Sequence, residues 1–245
     1  MIFNILSVFR ELIKPSLKYG VLSKAIKKNK IKVNIFSYSD YLNDGDRLDD
    51  KQFGGEPGMV IKYQNASRAI NAIKKSNPKT KVIFLTPKGK KLDNNLAKEM
   101  SKMGNISIIC GRYEGFDERI IDQYSDLEVS IGDYIVSGGE YPAVILMDSI
   151  SRMVKGVIGN EESVDNDSLS NSLLKHPVYT RPAELKVGKV PKLITGGNHK
   201  KIKNFNRQES ILSTLKRRED LLETTELKID ERELLRKVKR GDIKS

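Results

Sequence analysis

The sequence predicts an α/β protein whose mostly parallel sheet is covered by helices on both faces. Short apolar runs alternate with longer segments of helical periodicity from residue 1 to residue 154, and this alternation is typical of parallel sheets. Charge then divides the chain, because residues 171–245 hold 19 Lys and Arg against 10 Asp and Glu, whereas residues 1–170 hold 25 against 22. Most of the net charge of +12 therefore belongs to a separate basic module.

The individual elements follow from these apolar runs and from the periodicity of the segments between them. The strongly apolar segment 142–154 has Pro142 at its start, where the missing N–H of proline costs little. The polar, glycine-rich residues 39–57 predict a long loop. The predicted strands are 1–8, 31–38, 81–85, 106–110 and 127–131, and the predicted helices are 16–28, 64–75, 92–103, 118–124, 142–154, 210–223 and 230–238.

Glycine-bearing loops follow three of the predicted strands, at residues 86–89, 111–115 and 132–139. Glycine directly after a buried strand lets the backbone bend sharply or lets another group approach closely. On the glycines alone, tight turns are the preferred explanation. Ligands of parallel sheets bind at the carboxyl ends of strands, however, so the positions of these loops predict that they converge around one pocket lined mainly by main chain.

Composition argues against several classes of site. Cys110 is the only cysteine and ends an apolar run, so we expect a buried, inert thiol in a reducing, cytoplasmic compartment. His176 and His199 are far apart in sequence, and no Cys/His cluster predicts a metal site. The longest later apolar run, 143–147, is too short to span a membrane, so no membrane partner is expected. Dinucleotide, P-loop and nucleophile-elbow motifs are missing from the sequence.

The acidic, polar residues 159–172 are almost without apolar side chains and predict a flexible linker. The predicted domains are therefore 1–160, a linker at 161–175 and a basic helical domain at 176–245. The positive net charge favours a polyanionic partner, although a solvated charged face is the usual explanation for helices of this composition.

Seven motifs stand in order along nearly the whole chain: FGGEPGMV (53–60), LTPKG (85–89), CGRYEGFDER (110–119), SIGDYIVSGGEYPAV (130–144), SRMVKGVIGN (151–160), DSLSNSLLKHPVYTRP (167–182) and VPKLITGGNH (190–199). In these motifs the chain resembles the bacterial tRNA (guanine-N1)-methyltransferases of the SPOUT superfamily. The CGRYEG and SIGDY–SGGE motifs, with their spacing, are highly specific.

That resemblance implies an α/β domain whose C-terminal part threads a deep trefoil knot, an exception to the rule against threading. It also implies a small helical C-terminal domain that helps to grip tRNA, and a homodimer whose active sites are built from both subunits. The methyl donor would be S-adenosylmethionine, and the product 1-methylguanosine immediately 3′ of the anticodon, in the anticodon stem-loop. The family's reported preference for Mg²⁺ finds no ligand cluster in the sequence that identifies a site.

The resemblance assigns roles to individual residues. Asp167 matches the proposed general base that removes the proton of guanine N1; without the resemblance, Asp-Ser before an apolar run is a helix N-cap signature, and both roles can coexist. Arg152 matches an arginine that stabilises charge on guanine O6, and is otherwise a surface cation. The residues implied to bind the cofactor are Leu85, Thr86, Pro87, Gly111, Glu114, Ile131, Gly132, Asp133, Tyr134, Ile135, Val136, Gly138, Gly139 and Pro142.

Two interpretations of Glu114 stay open. Its carboxylate either faces the cationic part of the cofactor or forms an ion pair with Arg112 or Arg119. Further along the chain, a basic run is expected to contact RNA phosphates, which makes binding salt-dependent. The residues of that run are Lys200, Lys201, Lys203 and Arg207.

The chain departs from the family pattern mainly in loops that face tRNA. Gly54-Gly55-Glu56 stands where the family usually has three glycines, and Phe205-Asn206 stands where it usually has Trp-Arg. Two other functions remain possible on the sequence. A related enzyme of the superfamily methylates a ribose 2′-hydroxyl and needs no base at Asp167, whereas a non-catalytic RNA-binding protein has no need of a cofactor pocket.

Overall fold

A five-stranded sheet in which all neighbouring strands are parallel forms the centre of the first unit of the chain. The strands of this unit are β1 (Ile2–Ser7), β2 (Lys32–Ser37), β3 (Asp49–Lys51), β4 (Met59–Ile61), β5 (Lys81–Lys91), β6 (Asn105–Ile109) and β7 (Leu127–Ser130). Their order in the sheet is β2-β1-β6-β5-β7, so β2 and β7 are its edges. The remaining two strands, β3 and β4, form an antiparallel hairpin.

The structure is a computed structural model that describes residues 1–159, 167–170 and 172–242. The chain divides into two units, Met1–Glu161 and Glu162–Ser245. Of the linker predicted at 161–175, residues 161–166 and 171 lie outside the described residues, so its expected flexibility stays a prediction.

Helices cover both faces of the sheet, because alternate residues of a strand point to opposite sides. In β5, Ile83 and Leu85 belong to one buried cluster and Val82 and Phe84 to another. The first cluster includes side chains of α1 (Gly20–Lys27), α3 (Asn94–Ser101) and α5 (Glu140–Arg152), and the second those of α2 (Tyr63–Ser76) and α4 (Glu118–Tyr124). The predicted parallel sheet with helices on both faces is therefore confirmed.

Helix α5 is anchored through side chains that are fully buried, among them Leu146, Met147 and Ile150. Shortening a buried leucine to alanine typically costs about 2–5 kcal/mol, so this helix is firmly attached to the sheet. The attachment matters for function because α5 begins directly after the loop 131–139 and carries Arg152 in its last turn.

Some elements extend beyond their predicted limits. Strand β5 continues past Leu85 to Lys91, and its register with β7 shifts between Leu85 and Lys90. Burial stops near Leu85, so hydrophobic periodicity carries no signal for the polar end of this strand. Helix α5 begins at Glu140 instead of residue 142, with Pro142 in the first turn, where proline is still tolerated.

The long loop predicted at 39–57 is partly ordered into regular structure. It contains most of a 3₁₀ turn, Tyr38–Tyr41, and the strand β3, which pairs with β4. The predicted helix 16–28 begins instead as a separate 3₁₀ turn, Lys14–Leu17, and becomes α-helical only at Gly20. Elements this short bury few side chains, which is why alternation alone did not reveal them.

The second unit, Glu162–Ser245, packs its helices around a small apolar cluster that includes Leu173, Ile211 and Leu235. In place of a single helix at 210–223, the chain has a long helix that ends at Arg217 and a 3₁₀ turn at Glu219–Glu223. The elements of this unit are the hairpin β8 (Glu184–Leu185) and β9 (Gly188–Lys189) and the helices α6 (Lys192–Thr195), α7 (His199–Arg217) and α8 (Ile229–Arg240).

An ion pair joins the two long helices of the second unit. Arg207 of α7 donates from Nε and Nη2 to the carboxylate of Glu231 of α8, at 2.8 and 3.2 Å. The Glu231 side chain is 7% exposed, and its hydrogen bond with Arg207 lowers the pKa of this carboxyl below its ordinary value of 4.5. The pair therefore stabilises the packing of α7 on α8.

The stability of the second unit is expected to fall in acid through this pair. Because the folded-state pKa of Glu231 is depressed, its contribution is present above pH 4.5 and is lost as pH falls through the folded pKa. As pH falls below 4.5, the free energy of unfolding of the Glu231→Gln variant should decrease less than that of the wild type. Urea unfolding followed by circular dichroism between about pH 7 and pH 3 measures the difference. Parallel pH profiles of the two proteins would contradict the assignment.

Among the described residues, no helix is both long enough and apolar enough to cross a membrane.

Candidate active site

A cleft of about 400 Å³ opens where β6 and β7 lead into the glycine-bearing loops 111–115 and 132–139, beside the polar part of β5. Its size lies in the range of small-molecule sites. The three predicted segments do converge on this cleft, but residues 86–89 belong to the extended strand β5 and not to a loop. Of the residues that the sequence assigns to cofactor binding, the cleft is lined by Leu85, Thr86, Pro87, Gly111, Glu114, Ile131, Gly132, Tyr134, Ile135, Val136, Gly138, Gly139 and Pro142.

Asp133 is the member of that predicted set that does not line the cleft. Its carboxylate lies 2.8 Å from Nζ of Lys91, the last residue of β5, and its side chain is 85% exposed. The neighbouring Tyr134 does line the cleft and lies over Gly132, where a Cβ would be 2.5 Å from the tyrosine ring. The structure thus favours a surface ion pair for Asp133 over contact with a bound molecule.

Main chain forms much of the cleft wall because two loops approach each other closely. The N–H of Gly139 donates to the carbonyl of Gly111 at 2.9 Å. A Cβ at Gly139 would lie 2.6 Å from Cα of Cys110, and a Cβ at Gly138 would lie 2.6 Å from Oε2 of Glu140. The close approach of the loops after β6 and β7 therefore requires glycine at 139, and Gly138 leaves room for the side chains of Glu140 and Arg112.

A buried carboxylate, which sequence reasoning missed, lies beside this contact. Glu140 is 1% exposed, and its Oε1 accepts from the hydroxyl of Ser7 at 2.9 Å and from the N–H of Phe9 at 3.3 Å. Its Oε2 lies 3.7 Å from Nε of Arg112, whose guanidinium stacks on the Phe9 ring at 4.5 Å. Glu140 thereby ties the end of β1 to both glycine loops. The only sequence signal was a charged residue at the start of an apolar helix.

Cys110 is fully buried at the end of β6, as expected for an inert thiol. Burial, with a smaller contribution from Glu140, raises the pKa of the thiol well above its usual value. The backbone carbonyl of the same residue accepts from the buried hydroxyl of Tyr38 at 3.2 Å. Cys110 therefore acts as packing behind the cleft and not as a nucleophile.

Glu114 lies on the cleft wall without either of the arginine partners considered for it. Arg112 faces Glu140, and Arg119 pairs with Asp117. The main chain of Glu114 is held by the β3–β4 hairpin, since its N–H donates to the carbonyl of Met59 at 2.9 Å. Within the described part of the chain its carboxylate has no ion pair, so it can offer a negative charge to a bound cation.

Apolar side chains, glycines and charged side chains line the cleft. Of its two acidic side chains, Glu118 pairs with Lys88 at 3.0 Å, whereas Glu114 has no ion pair among the described residues. Leu85, Val136 and Pro142 are apolar walls, and at the five glycines of the lining no side chain separates a bound molecule from the main chain. Such a lining suits a flat heterocycle that needs hydrogen bonds at its edges, attached to a group of positive charge. The described residues contain no cluster of three or more His, Cys, Asp or Glu arranged to hold a metal ion.

The two residues assigned to catalysis belong to different units of the chain. Arg152 lies in the last turn of α5 and is partly buried. Asp167 belongs to a turn at 167–170, in which the N–H of Ser170 donates to the Asp167 carbonyl at 3.3 Å. The Asp167 side chain is 38% exposed, and its Oδ1 lies 3.5 Å from Nζ of Lys175.

The basic run of the second unit surrounds the start of α7. Lys200, Lys201 and Lys203 are exposed there, and the side chain of Asn198 caps the helix by accepting from the N–H of Lys201 at 3.1 Å. A helix N-terminus with exposed lysines attracts phosphate. The fourth residue of the predicted set, Arg207, is partly buried in its pair with Glu231, so its geometry favours a structural role.

Comparison with known proteins gives a consistent result. The family model described as tRNA (Guanine-1)-methyltransferase TrmD matches residues 1–224. The tRNA (guanine-N(1)-)-methyltransferase of Hahella chejuensis is 41% identical over 243 residues, which are 98% of this chain and 94% of that protein. The protein of the same name from Caldicellulosiruptor saccharolyticus is 45% identical over 236 residues, 96% of each chain. That from Francisella tularensis subsp. holarctica is 42% identical over 238 residues, 96% of this chain and 94% of the relative.

Proposed function

The chain belongs to the tRNA (guanine-1)-methyltransferase family, and we propose that it methylates N1 of the guanine immediately 3′ of the tRNA anticodon, with Asp167 as general base. That it is a methyltransferase follows from relatives of 41% to 45% identity over 96% or more of the chain. The observation that carries the proposal is the match of the family model to residues 1–224, which include the complete cleft and Asp167.

S-adenosylmethionine is the proposed methyl donor, and it supplies a methyl group made electrophilic by the adjacent sulfonium. The lining of the cleft supports this choice. Apolar side chains such as Leu85 and Val136 flank a flat base, and main-chain groups of the glycine loops hydrogen-bond its edges. Glu114 offers its charge to the cationic part of the donor. Gly139 lets the loop after β7 approach Cys110 and Gly111, and this approach shapes the wall against which the donor is proposed to bind.

Asp167 is proposed to take the proton from guanine N1, because the nitrogen must be electron-rich to attack the methyl group. A carboxylate in water is a weak base, and positioning against the substrate makes it effective. The partly exposed position of Asp167, in a turn beside Lys175, leaves room for RNA to exclude water around it. Arg152 is proposed to stabilise the charge that moves onto guanine O6 when N1 loses its proton.

A homodimer with active sites shared between subunits is proposed as the working form. Its support is the exposed apolar surface of the first unit, since Ile135, Tyr141 and Ile145 are 81%, 57% and 43% exposed. Tyr141 and Ile145 lie one turn apart on α5, and contiguous exposed apolar surface marks interaction sites. A monomer mass in analytical ultracentrifugation at micromolar concentration would contradict the dimer.

The trefoil knot is also proposed, as the family's way of building such a cleft. Its support is the close passage of the loop after β7 against Cys110 and Gly111, with the hydrogen bond between Gly139 and Gly111. A crystal structure in which residues 131–139 pass outside the preceding loops would contradict it.

In the second unit, Lys200, Lys201 and Lys203 are proposed to contact tRNA phosphates, and replacing them should weaken the salt dependence of binding.

The proposed reaction is tested by incubating the full chain with labelled S-adenosylmethionine and a tRNA transcript that has guanine 3′ of the anticodon. We expect label at that guanine and a stop of reverse transcriptase there, because a methyl group on N1 blocks base pairing. A transcript with adenine at that position is the matched control and should stay unlabelled.

Each competing function has its own outcome in this experiment. Label on a ribose, without a stop at the base, would favour the 2′-hydroxyl methyltransferase. Binding of tRNA without binding of S-adenosylmethionine would favour the non-catalytic protein. Either result contradicts the proposed function.

A further inference from the structure

An exposed set of lysines lies along one side of the first unit, far in sequence from the basic second unit. Residues 10–32 carry eight basic residues and one acidic residue, although residues 1–170 as a whole are nearly balanced. All seven lysines of this segment are exposed; they belong to the 3₁₀ turn Lys14–Leu17, to α1 and to the chain around the start of the edge strand β2. This lysine surface consists of Lys14, Lys18, Lys24, Lys27, Lys28, Lys30 and Lys32.

We propose that the lysine surface binds phosphate groups of the RNA backbone and so provides a second electrostatic contact, in addition to that of the C-terminal unit. The inference rests on the proposed function, because the polyanion it names is the RNA that the enzyme methylates. It goes beyond that function by assigning RNA binding to a surface outside the cleft and outside the basic run at 200–207.

The charges of the lysine surface are nearly uncompensated within the protein. Lys14 pairs with Glu11 at 2.6 Å, whereas the other six lysines form no ion pair with any described residue. Lys24 of α1 and Lys28, which caps the C-terminal end of this helix, are four residues apart, and like charges at this spacing repel each other. A polyanion that places phosphates between them would relieve this repulsion and release its own counterions.

The lysine surface is continuous with the end of α5 that carries Arg152. Lys30 lies against the turn that follows this helix, because a Cβ at Gly156 would be 3.1 Å from Cε of Lys30. Helices α1 and α5 also share one buried cluster, so the two are fixed relative to each other. RNA that reaches Arg152 therefore passes close to the lysine surface.

The remaining side chains favour RNA over a membrane as the polyanion. The apolar side of α1, with Leu22 and Ala25, is buried in the core and cannot insert into lipid. Tyr19 is 77% exposed directly after Lys18, and an exposed aromatic ring among lysines is suited to stack on an unpaired base. RNA matches both the lysine charges and the exposed ring of Tyr19, because it carries phosphates with bases beside them.

The test is the Lys24→Gln/Lys28→Gln variant, because glutamine keeps helix propensity and removes two charges four residues apart, in α1 and at its C-terminal cap. Equilibrium binding of the full chain to the tRNA transcript is measured over a range of salt concentrations. We expect the slope of log K against log salt to become shallower by about two, and binding near 0.1 M salt to weaken on the order of tenfold. The KM for tRNA should rise, while kcat at saturating tRNA stays unchanged.

The matched control is Lys75→Gln/Lys79→Gln, which removes two exposed lysines at and beyond the end of α2, a helix of the other buried cluster. It should leave the slope unchanged, and both variants should keep the circular dichroism spectrum of the wild type. An unchanged slope in the α1 variant would overturn the inference. Binding of both proteins to anionic lipid vesicles is measured in parallel. The inference would also be overturned if the α1 variant lost binding to these vesicles while its tRNA binding stayed intact. A failure of the proposed function appears separately, as unmodified guanine with the wild type.

Discussion

Replacing Asp167 by alanine is expected to reduce kcat for methyl transfer by about 10²–10⁴-fold, the range typical for loss of a general base. Guanine N1 carries its proton at neutral pH, so without a base at this position it cannot attack the methyl group. Binding of S-adenosylmethionine should be unchanged, because Asp167 is not among the residues that line the cleft. Single-turnover transfer of labelled methyl measures the first effect, and isothermal titration measures the second.

Two further variants make this test specific. Asp167→Asn keeps the shape of the side chain but accepts no proton, and it should be as inactive as the alanine variant. Glu226→Ala removes an exposed carboxylate of the same unit and should keep wild-type activity. Full activity in both Asp167 variants would refute the assignment of the base. Methylation of a ribose, at an equal rate in the wild type and in both Asp167 variants, would instead favour the 2′-hydroxyl reaction.

The Gly139→Ala variant is expected to lose affinity for S-adenosylmethionine and to unfold at a lower temperature. The new Cβ would lie 2.6 Å from Cα and 2.8 Å from Cβ of Cys110, and 3.0 Å from the backbone nitrogen of Gly111. These atoms belong to the end of a buried strand and cannot move aside as a flexible side chain can. Overpacking of this kind costs about 1–3 kcal/mol, and the forced separation of the two loops widens the cleft.

Thermal unfolding and isothermal titration together measure these effects. For a chain of this size each kcal/mol corresponds to roughly 2–4 °C in Tm, so a decrease of several degrees is expected. Gly159→Ala is the control, since a Cβ there has no neighbour within 4 Å and its φ is not in the left-handed region. Wild-type affinity in Gly139→Ala would show that the cleft does not depend on the approach of the two loops.

Much of the fold was predictable because its signals are local. The apolar run at 81–85 and the alternation of its side chains between two buried clusters identify a central strand. The glycines after three strands identified the loops that line the cleft, because carboxyl ends of parallel strands share one edge of a sheet. The polar end of β5 was missed because it is largely exposed, and the β3–β4 hairpin was missed because strands of three residues are too short to show an alternation.

The candidate site was predictable only in part. Of the fourteen residues assigned to cofactor binding, thirteen line the cleft, and Asp133 instead pairs with Lys91 outside the lining. The motifs also left two interpretations of Glu114. In the structure Arg112 faces Glu140 and Arg119 pairs with Asp117, so neither arginine forms an ion pair with Glu114. Both outcomes depend on which side chains become neighbours after folding, and spacing along the chain does not specify that.

The sequence by itself determined the parallel sheet, the position of the glycine loops at its carboxyl edge and, through its motifs, the family. Only the tertiary structure decided that Gly139 must pass within contact distance of Cys110, and that Glu140 is buried beneath both loops. The bond from Ser7 to Glu140 joins residues 133 positions apart, and no local pattern records such a partner. Hydrophobic periodicity reports burial along one element, whereas the cleft is made by close approaches between elements, which exist only once the chain is folded.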